Sequence, residues 1–308
     1  MSTAIDISIC ICTFRRPVLL DQLLQALTQQ CCTDLRVEVI VVDNDPAGSA
    51  AAVLHDWQHR FPLPLRCHHE PRPNIAQARN IAVHSARGEW VLFIDDDEAP
   101  QAQWISQLVA TQRRYNADAV FAPVLPRYLP DTPAWIRQGD FFQRRRFATG
   151  TVISCKDART GNVLIRRSKL MAIAGPFDIA FGRTGAEDTM LFGDMSAQGA
   201  SFIWCDEATV SEEVPAQRAN LNWLLRRSYR LGQTYVLSEI VRLHGLAHAR
   251  RATQLGLRAL LQLLVAAALT LLSLPVSRIV SVRWLRTTLA QCGKLSALVG
   301  HRYHEYGN

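Results

Sequence analysis

The stretch Trp90-Val91-Leu92-Phe93-Ile94-Asp95-Asp96-Asp97-Glu98-Ala99-Pro100 decides the fold, because an apolar run stops abruptly there at four consecutive carboxylates. An unbroken apolar run of this length is typical of a strand that is buried on both faces, as in a parallel sheet covered by helices. In open α/β sheets, ligands bind at the carboxyl ends of the strands. The carboxylates therefore lie where a binding site is expected.

Adjacent carboxylates are costly unless something binds them. Two carboxylates about 4 Å apart repel each other by roughly 1–4 kcal/mol for effective dielectric constants between about 80 and 20. A divalent cation removes this cost, and oxygen ligands suit Mg²⁺ or Mn²⁺, which then also binds the phosphates of a substrate. The alternative is a solvated acidic turn, which is common for isolated acidic runs but less so at the end of a buried strand.

Strands and helices alternate along the chain before this stretch. The residue pattern predicts strands over 5–13 and 37–42 and helices over 18–29, 47–59 and 75–86. This βαβ order predicts right-handed crossovers and a doubly wound, mainly parallel α/β sheet. The sequence contains neither GxGxxG after the first strand nor GxxxxGKS/T, so neither a dinucleotide site nor a P-loop is supported.

The end of the second strand supplies another candidate carboxylate. Asp43 begins the run Asp43-Asn44-Asp45-Pro46, where it could accept hydrogen bonds from a ribose or a base. Asp-Asn-Asp-Pro is also common turn chemistry, and that alternative stays open.

Composition indicates a globular, cytosolic protein. The 308 residues are 48% hydrophobic and 20% charged, which suffices for one large domain or two smaller ones. No signal-peptide pattern opens the sequence, so we expect no export. The eight cysteines show no paired CxxC spacing and are predicted to be reduced.

Charge separates a body from a basic tail. Residues 1–213 contain 21 Lys/Arg and 25 Asp/Glu, whereas residues 214–308 contain 13 and 2, which gives net charges of −4 and +11. Residues 259–277 are uncharged and flanked by arginines, which favours membrane contact over nucleic acid. This length is close to the ~20 residues that span a bilayer. Spanning, in-plane and soluble-bundle helices all remain possible, because both flanks are positive.

Several short motifs occur in a characteristic order. They are Thr13-Phe14-Arg15-Arg16-Pro17, Val41-Val42-Asp43-Asn44, Pro73-Asn74-Ile75-Ala76-Gln77-Ala78-Arg79-Asn80, Gly88-Glu89-Trp90, Phe93-Ile94-Asp95-Asp96-Asp97-Glu98 and Gly185-Ala186-Glu187-Asp188. In this order and spacing, residues 5–235 resemble a family 2 glycosyltransferase with a GT-A fold, and within it bacterial enzymes of the succinoglycan or exopolysaccharide glucosyltransferase type.

The resemblance implies a nucleotide-sugar site. Thr13, Phe14 and Arg15 would contact the nucleotide, Asp43 its uracil or ribose, and Arg79 the diphosphate. Asp95 and Asp97 match the DxD motif: Asp97 would bind Mg²⁺ or Mn²⁺ directly, and Asp95 would face the ribose or the metal. Asp96 lies between them and is placed in the same nucleotide-sugar site.

The resemblance also implies a catalytic and acceptor side. Asp188 would be the catalytic base, Glu187 would orient the acceptor or the base, and Gly161-Asn162 would lie at the acceptor. Many GT-A enzymes add a downstream histidine ligand, where this chain has Val210-Ser211-Glu212-Glu213-Val214-Pro215, so Glu213 or water is expected to complete the metal shell.

A run of arginines follows these motifs. Arg226, Arg227 and Arg230 could pair with the donor diphosphate or with a phosphate on the acceptor, because arginine binds phosphate oxygens bidentately. The alternative is a solvated basic helix face. No QxxRW signature of processive synthases occurs, which favours the addition of one sugar per acceptor.

The combined expectation is an inverting, metal-dependent, non-processive transferase. It would move a sugar from a nucleotide-sugar, expected to be a UDP-sugar, to a hydroxyl of a lipid-linked saccharide at the cytoplasmic face of the cell membrane. The expected division is a GT-A domain over 1–235, with a nucleotide half to about 130 and an acceptor half from 131, and a membrane-associated helical tail over 236–308. The competing interpretation is a catalytically silent membrane-bound scaffold or sugar-nucleotide-binding protein.

Overall fold

Ten strands and ten α-helices make up the described part of the chain, residues 5–30 and 34–301 of a computed structural model. The strands are β1 (Ile7–Thr13), β2 (Val37–Asp43), β3 (Leu65–His69), β4 (Trp90–Phe93), β5 (Glu98–Pro100), β6 (Ala119–Phe121), β7 (Val124–Tyr128), β8 (Val163–Arg166), β9 (Phe202–Trp204) and β10 (Val210–Val214). The helices are α1 (Pro17–Leu27), α2 (Ala51–Arg60), α3 (Ile75–Ser85), α4 (Trp104–Tyr115), α5 (Ala134–Gly139), α6 (Arg167–Met171), α7 (Glu187–Ala197), α8 (Leu221–Ile240), α9 (Gly245–Ser273) and α10 (Arg278–Leu298).

The central sheet has the strand order β3-β2-β1-β4-β8-β6-β9. Its first four strands in that order run parallel, and Ile7 lies opposite both Val37 and Trp90. Strand β8 is antiparallel to β4 and to β6, whereas β9 is parallel to β6. The predicted doubly wound, mainly parallel α/β sheet is therefore confirmed, with an antiparallel strand that the sequence did not indicate.

Helices cover both faces of this sheet. Along β1, side chains alternate between the two faces, so that Ile9 packs in one core with Leu20 of α1 while Cys10 packs in the other with Ala78 of α3. The six cysteines in the described residues are free thiols, and Cys31 and Cys32 lie outside those residues. Burial from both sides fixes the strand ends that carry the acidic run.

The helix predicted over 47–59 begins later than expected. It starts at Ala51, because Gly48 has a φ of +64° and belongs to the turn that follows β2. Glycine adopts this left-handed conformation without steric cost, so the turn extends the loop at the end of β2.

A second, three-stranded sheet lies across the end of the acidic run. Its order is β5-β10-β7, with β10 antiparallel to β5 and parallel to β7. Glu212 of β10 is paired in register with Glu98 of β5. The sheet thus brings residues from far along the chain to the acidic run.

The C-terminal helices pack on one another by close backbone contact. A Cβ added at Gly232 of α8 would lie 2.0 Å from the Ala290 carbonyl oxygen of α10, and one added at Gly293 would lie 1.9 Å from the Tyr229 carbonyl oxygen. The expected division after residue 235 falls inside α8, so this helix belongs to both parts. Residues 302–308 of the expected tail lie outside the described residues.

Helix α9 is long and apolar enough to cross a membrane by length and composition. Its most apolar window has a mean hydropathy of 2.0, and most of that window is not buried within the protein. The side chains of Leu261, Leu264 and Leu272 are 65, 62 and 71% exposed. Water is a poor environment for such a surface.

Candidate active site

A pocket of about 360 Å³ opens at the carboxyl ends of β1 and β4, and is called the main pocket below. Its wall combines the acidic run with several arginines, a set that suits a phosphate-bearing ligand. Of the predicted site residues, the wall contains Thr13, Phe14, Arg79, Asp95, Asp96, Asp97 and Arg230. The others, which lie behind or beside it, are Arg15, Asp43, Gly161, Asn162, Glu187 and Asp188.

The three aspartates of the acidic run have different surroundings. The Asp95 side chain is 47% exposed and lies 3.5 Å from Arg79 Nη2. Asp96 is buried and accepts hydrogen bonds from Thr13 Oγ1 at 2.8 Å and from Arg16 Nη1 at 2.9 Å. Asp97 accepts a 2.8 Å hydrogen bond from the same Arg16 nitrogen. Asp96 therefore ties the turn to β1, and Arg16 holds two of the carboxylates together.

Like charge accumulates around this turn. Burial raises the pKa of Asp96 to about 6 against the opposing charge of Arg16, and Asp97 adds to the rise. Burial also raises the pKa of Glu98, with Asp95 contributing, and the pKa of Glu212, with Asp97 contributing. A bound cation would lower all three pKa values.

The residues present fit a cation that takes some of its ligands from the protein and the others from a bound substrate. Within residues 5–30 and 34–301, no group of three or more His, Cys, Asp or Glu side chains is arranged to hold a metal ion. Asp95 and Asp97 both face the main pocket, where phosphate oxygens could complete a shell. Mg²⁺ is commonly bound in this way, by one or two carboxylates plus substrate phosphates.

The carboxylate that β10 directs into the main pocket is Glu212, so Glu213 was the wrong residue to expect there. The alternative expectation, that water completes the metal shell, stays a prediction. Glu212 lines the pocket and accepts a 2.8 Å hydrogen bond from Arg218 Nη1. Glu213 instead pairs with Arg127 of β7 at 2.7 Å. Neighbouring residues of a strand point to opposite faces, so the side chain of Glu212 lies in the pocket and that of Glu213 lies on the surface.

The nucleotide-side loop is held by its own backbone. Both carboxylate oxygens of buried Asp43 accept backbone N–H groups, from Asp45 at 3.0 Å and from Ala50 at 2.8 Å. Arg15 has a φ of +56° and its Nε donates to Asp45 at 3.1 Å. Asp43 therefore fixes the shape of the loop, and its contact with a base or ribose stays a prediction.

Arg79 joins the acidic run to the helix that carries the predicted base. Its Nη1 donates to Glu187 at 2.6 Å, and the side chain is nearly buried. Burial raises the pKa of Glu187, although Arg79 opposes the rise. Asp188 follows in the first turn of α7, and its Oδ1 accepts the Thr189 backbone N–H at 2.7 Å. Glu187 is thus bound in an ion pair with Arg79, whereas no ion pair holds the Asp188 carboxylate among the described residues.

Gly161 and Asn162 have different environments. A Cβ at Gly161 would lie 2.9 Å from Glu98 Oε1 and 3.3 Å from Asp95 Oδ2, so this glycine permits close approach to the acidic run. Asn162 is fully buried with a φ of +58°, and Trp104 Nε1 donates to its Oδ1 at 2.7 Å. Its amide nitrogen donates to the carbonyls of Pro123 and Ala208. The Asn162 side chain is structural and leaves no surface for an acceptor.

Sequence reasoning missed two arginines in the wall. Arg16 holds Asp96 and Asp97 together, and Arg218 Nη2 lies 3.8 Å from Asp97 Oδ2. Trp223, at the start of α8, stacks on Phe142 with ring centroids 5.4 Å apart. The basic and aromatic residues before and within α8 were visible in the sequence, but their proximity to the acidic run depends on tertiary packing.

The sheet order, the acidic turn and the arginine-rich pocket agree with the GT-A fold that the sequence resemblance implies. The chain belongs to glycosyltransferase family 2, whose model, described as "Glycosyl transferase family 2", matches residues 8–173. It is 36% identical over 248 residues to the succinoglycan biosynthesis protein ExoM of Rhizobium meliloti (strain 1021), an alignment that covers 80% of this chain and 79% of that protein.

Solved structures show the same fold at low sequence identity. A mannosyltransferase from Pyrobaculum calidifontis, in complex with GDP-Man and Mn²⁺, aligns with a TM-score of 0.64 and 19% identity and covers 96% of this chain and 88% of that chain. Residues 1–349 of S. aureus TarS, in complex with UDP-GlcNAc, align with a TM-score of 0.56 and 15% identity and cover 97% of this chain and 93% of that chain. These similarities support the GT-A fold.

Proposed function

We propose that this chain is an inverting, metal-dependent, non-processive glycosyltransferase that moves one sugar from a UDP-sugar to a hydroxyl of a lipid-linked saccharide. The observation that carries the proposal is the main pocket itself, where Asp95 and Asp97 at the end of β4 face arginines. Arg79 joins Asp95 to the helix of Asp188. The name of the Rhizobium relative supports a role in exopolysaccharide synthesis, and the ligands of the two solved structures support a nucleotide-sugar donor.

The arrangement suits a single displacement at the anomeric carbon. Negative charge develops on the departing diphosphate, and Arg218 and Arg230 in the wall can stabilise it by charge-assisted hydrogen bonds. A divalent cation held by Asp97 and Asp95 would supply further stabilisation of the leaving group. Asp188 would take the proton of the attacking hydroxyl, a contribution typically worth about 10²–10⁴-fold. One displacement inverts the anomeric configuration.

Arg16 competes with the metal for Asp97. Its guanidinium bridges Asp96 and Asp97, so a cation that binds Asp97 competes with an existing ion pair. Binding of donor and metal is therefore expected to release Arg16 from Asp97.

A donor screen tests the proposal. Purified protein with Mn²⁺ or Mg²⁺ is incubated with individual sugar nucleotides while released nucleotide diphosphate is measured. We expect turnover of one donor that is lost in Asp97→Asn and Asp188→Asn and retained in Glu213→Gln, a control whose side chain pairs with Arg127 away from the pocket. If no sugar nucleotide is bound or turned over, the silent scaffold is favoured. A product NMR spectrum with a retained anomeric configuration would refute inversion.

Membrane association through α9 is the second part of the proposal. The exposed apolar side chains and the absence of charge over residues 259–277 suit contact with lipid at the cytoplasmic face, where sugar nucleotides are available. The double substitution Leu261→Glu and Leu264→Glu should release the protein into the soluble fraction, because a charged side chain deep in a bilayer costs about 2.5–3.5 kcal/mol on insertion scales. Val18→Glu, at an exposed position of α1, is the matched control. A double variant that still sediments with membranes would contradict this role of α9.

A further inference from the structure

A second cavity of about 300 Å³ adjoins the main pocket, and is called the arginine cavity below. Its wall contains the arginines 144, 145, 146, 159 and 227, of which Arg144 and Arg227 also line the main pocket. Gly161 belongs to the same wall, and a Cβ at this position would lie 2.9 Å from Glu98 Oε1. The arginine cavity therefore begins where the acidic run ends.

Positive charge in this wall exceeds the negative charge around it. Asp206 neutralises Arg146 through hydrogen bonds of 2.9 and 2.8 Å. Arg145 and Arg159 have no carboxylate partner among residues 5–30 and 34–301: Arg145 lies 4.6 Å from the Phe147 ring centroid, and Arg159 donates to backbone carbonyls. Two guanidinium groups thus remain available to a ligand.

Arg227 adds a third cation at the boundary of the two sites. Its guanidinium carbon lies 5.1 Å from the Trp223 ring centroid, and it forms no ion pair with any other described residue. Burial, and then the charge of Arg144, lower the pKa of Arg227 to about 10, so it is still charged at neutral pH. The wall carboxylate Asp157 is engaged by Ser154 Oγ at 3.0 Å. An anion in the cavity would relieve the repulsion among these cations.

The rest of the wall is apolar. Ala122, Pro123, Trp204 and Leu231 line it together with the arginines. An apolar surface beside guanidinium groups suits a sugar ring that carries an anionic substituent, since the ring packs on aromatic and aliphatic surface while the arginines bind oxygen atoms bidentately.

We propose that the arginine cavity binds a phosphate or carboxylate group carried by the acceptor saccharide, so that the enzyme selects anionic acceptors. The inference rests on the proposed function and extends it to the acceptor. The donor diphosphate belongs beside Asp95 and Asp97, whereas Arg145 and Arg159 line only the arginine cavity. Two anions then lie side by side, and Arg144 and Arg227 face both.

Ligand-observed NMR titrations on the full-length protein test this inference. The protein is first saturated with UDP and Mg²⁺, which is diamagnetic and does not broaden the probe signals, to fill the main pocket, and its UDP affinity is recorded. The probes are glucose 1-phosphate, glucuronate and the neutral methyl glucoside. The variants are Arg145→Gln and Arg159→Gln, both on exposed side chains, and the control is Arg127→Gln, which removes the same charge from β7 outside both sites.

We expect at least one anionic probe to bind more tightly than methyl glucoside. Each cavity variant should weaken that binding by about tenfold or more, the equivalent of one charge-assisted hydrogen bond, with unchanged UDP affinity. The phosphate and carboxylate arms identify the anion. The inference would be overturned by neutral methyl glucoside binding as tightly as the anionic probes, by both cavity variants binding the anion as tightly as the wild type, or by weaker UDP binding in the variants. Wild-type protein that fails to bind UDP would contradict the proposed function instead. The inference would then still be tested by comparing anion binding of the wild type with that of Arg159→Gln.

Discussion

Substitution of Gly232 by alanine tests whether the C-terminal helices hold the arginines of the main pocket in place. The added Cβ would lie 2.0 Å from the Ala290 carbonyl oxygen, a contact that real Cβ atoms essentially never make below 3.0 Å. Because the opposing atom is backbone, no side chain can rotate away. Helices α8 and α10 must therefore separate by about 1 Å to restore normal packing.

The cost follows from two opposing terms. Overpacking of this kind costs about 1–3 kcal/mol, while alanine recovers up to about 1 kcal/mol over glycine in a helix. Because the clash is with backbone, the cost should fall in the upper part of that range, about 2–3 kcal/mol. The net loss is then about 1–2 kcal/mol, which lowers the melting temperature by about 2–8 °C at 2–4 °C per kcal/mol. Arg230 lies half a turn away on α8 and moves with it, and a misplacement of about 1 Å can reduce turnover by as much as 10²-fold.

The assay combines thermal unfolding with kinetics of nucleotide diphosphate release. Gly193→Ala in α7 is the matched control, because a Cβ there meets no atom within 4 Å and should maintain or raise the melting temperature. Gly232→Ala protein with the melting temperature and kinetic constants of the wild type would refute the coupling of α8 to α10.

Two further predictions concern the charged residues of the main pocket. Arg16→Gln frees Asp96 and Asp97 from a partly exposed ion pair and should raise the affinity for Mn²⁺ without donor by about two- to fivefold, measured by electron paramagnetic resonance of free Mn²⁺; unchanged affinity would show that Arg16 does not compete with the metal. Glu187 has a raised pKa in the folded state, so the wild type should lose stability relative to Glu187→Gln as pH rises from about 4.3, the unfolded value, through the folded pKa. Denaturant midpoints that stay parallel for the two proteins from pH 4 to 8 would contradict this.

Local patterns predicted the nucleotide half of the fold well. The apolar run 90–94 and the two earlier strand-like runs each carry their own signal, because a strand buried on both faces has a continuous apolar sequence. Their parallel order follows from the intervening helices. The position of Asp95 and Asp97 at a strand end was readable for the same reason.

Distant pairings limited the prediction of the site. The pairing of Glu98 with Glu212 joins segments more than a hundred residues apart, and no local pattern specifies it. The choice between Glu212 and Glu213 depends on that register, since one residue decides which face of β10 the side chain occupies. Asn162 was expected at the acceptor only because the resemblance places an acceptor-side loop there, whereas its amide satisfies buried backbone carbonyls.

Helix α8 connects the site to the C-terminal tail. Trp223 and Arg227 near its start contribute to the main pocket, and α10 supports it through backbone contact and through Arg286, whose Nε donates to Ser228 Oγ at 3.3 Å. Arg283 of α10 also donates to the Gly139 carbonyl at the end of α5. Removal of the whole tail would therefore disturb catalysis even if α9 served only to bind lipid. Charged substitutions on the exposed face of α9 separate the two roles, because they alter lipid contact and leave the α8–α10 interface unchanged.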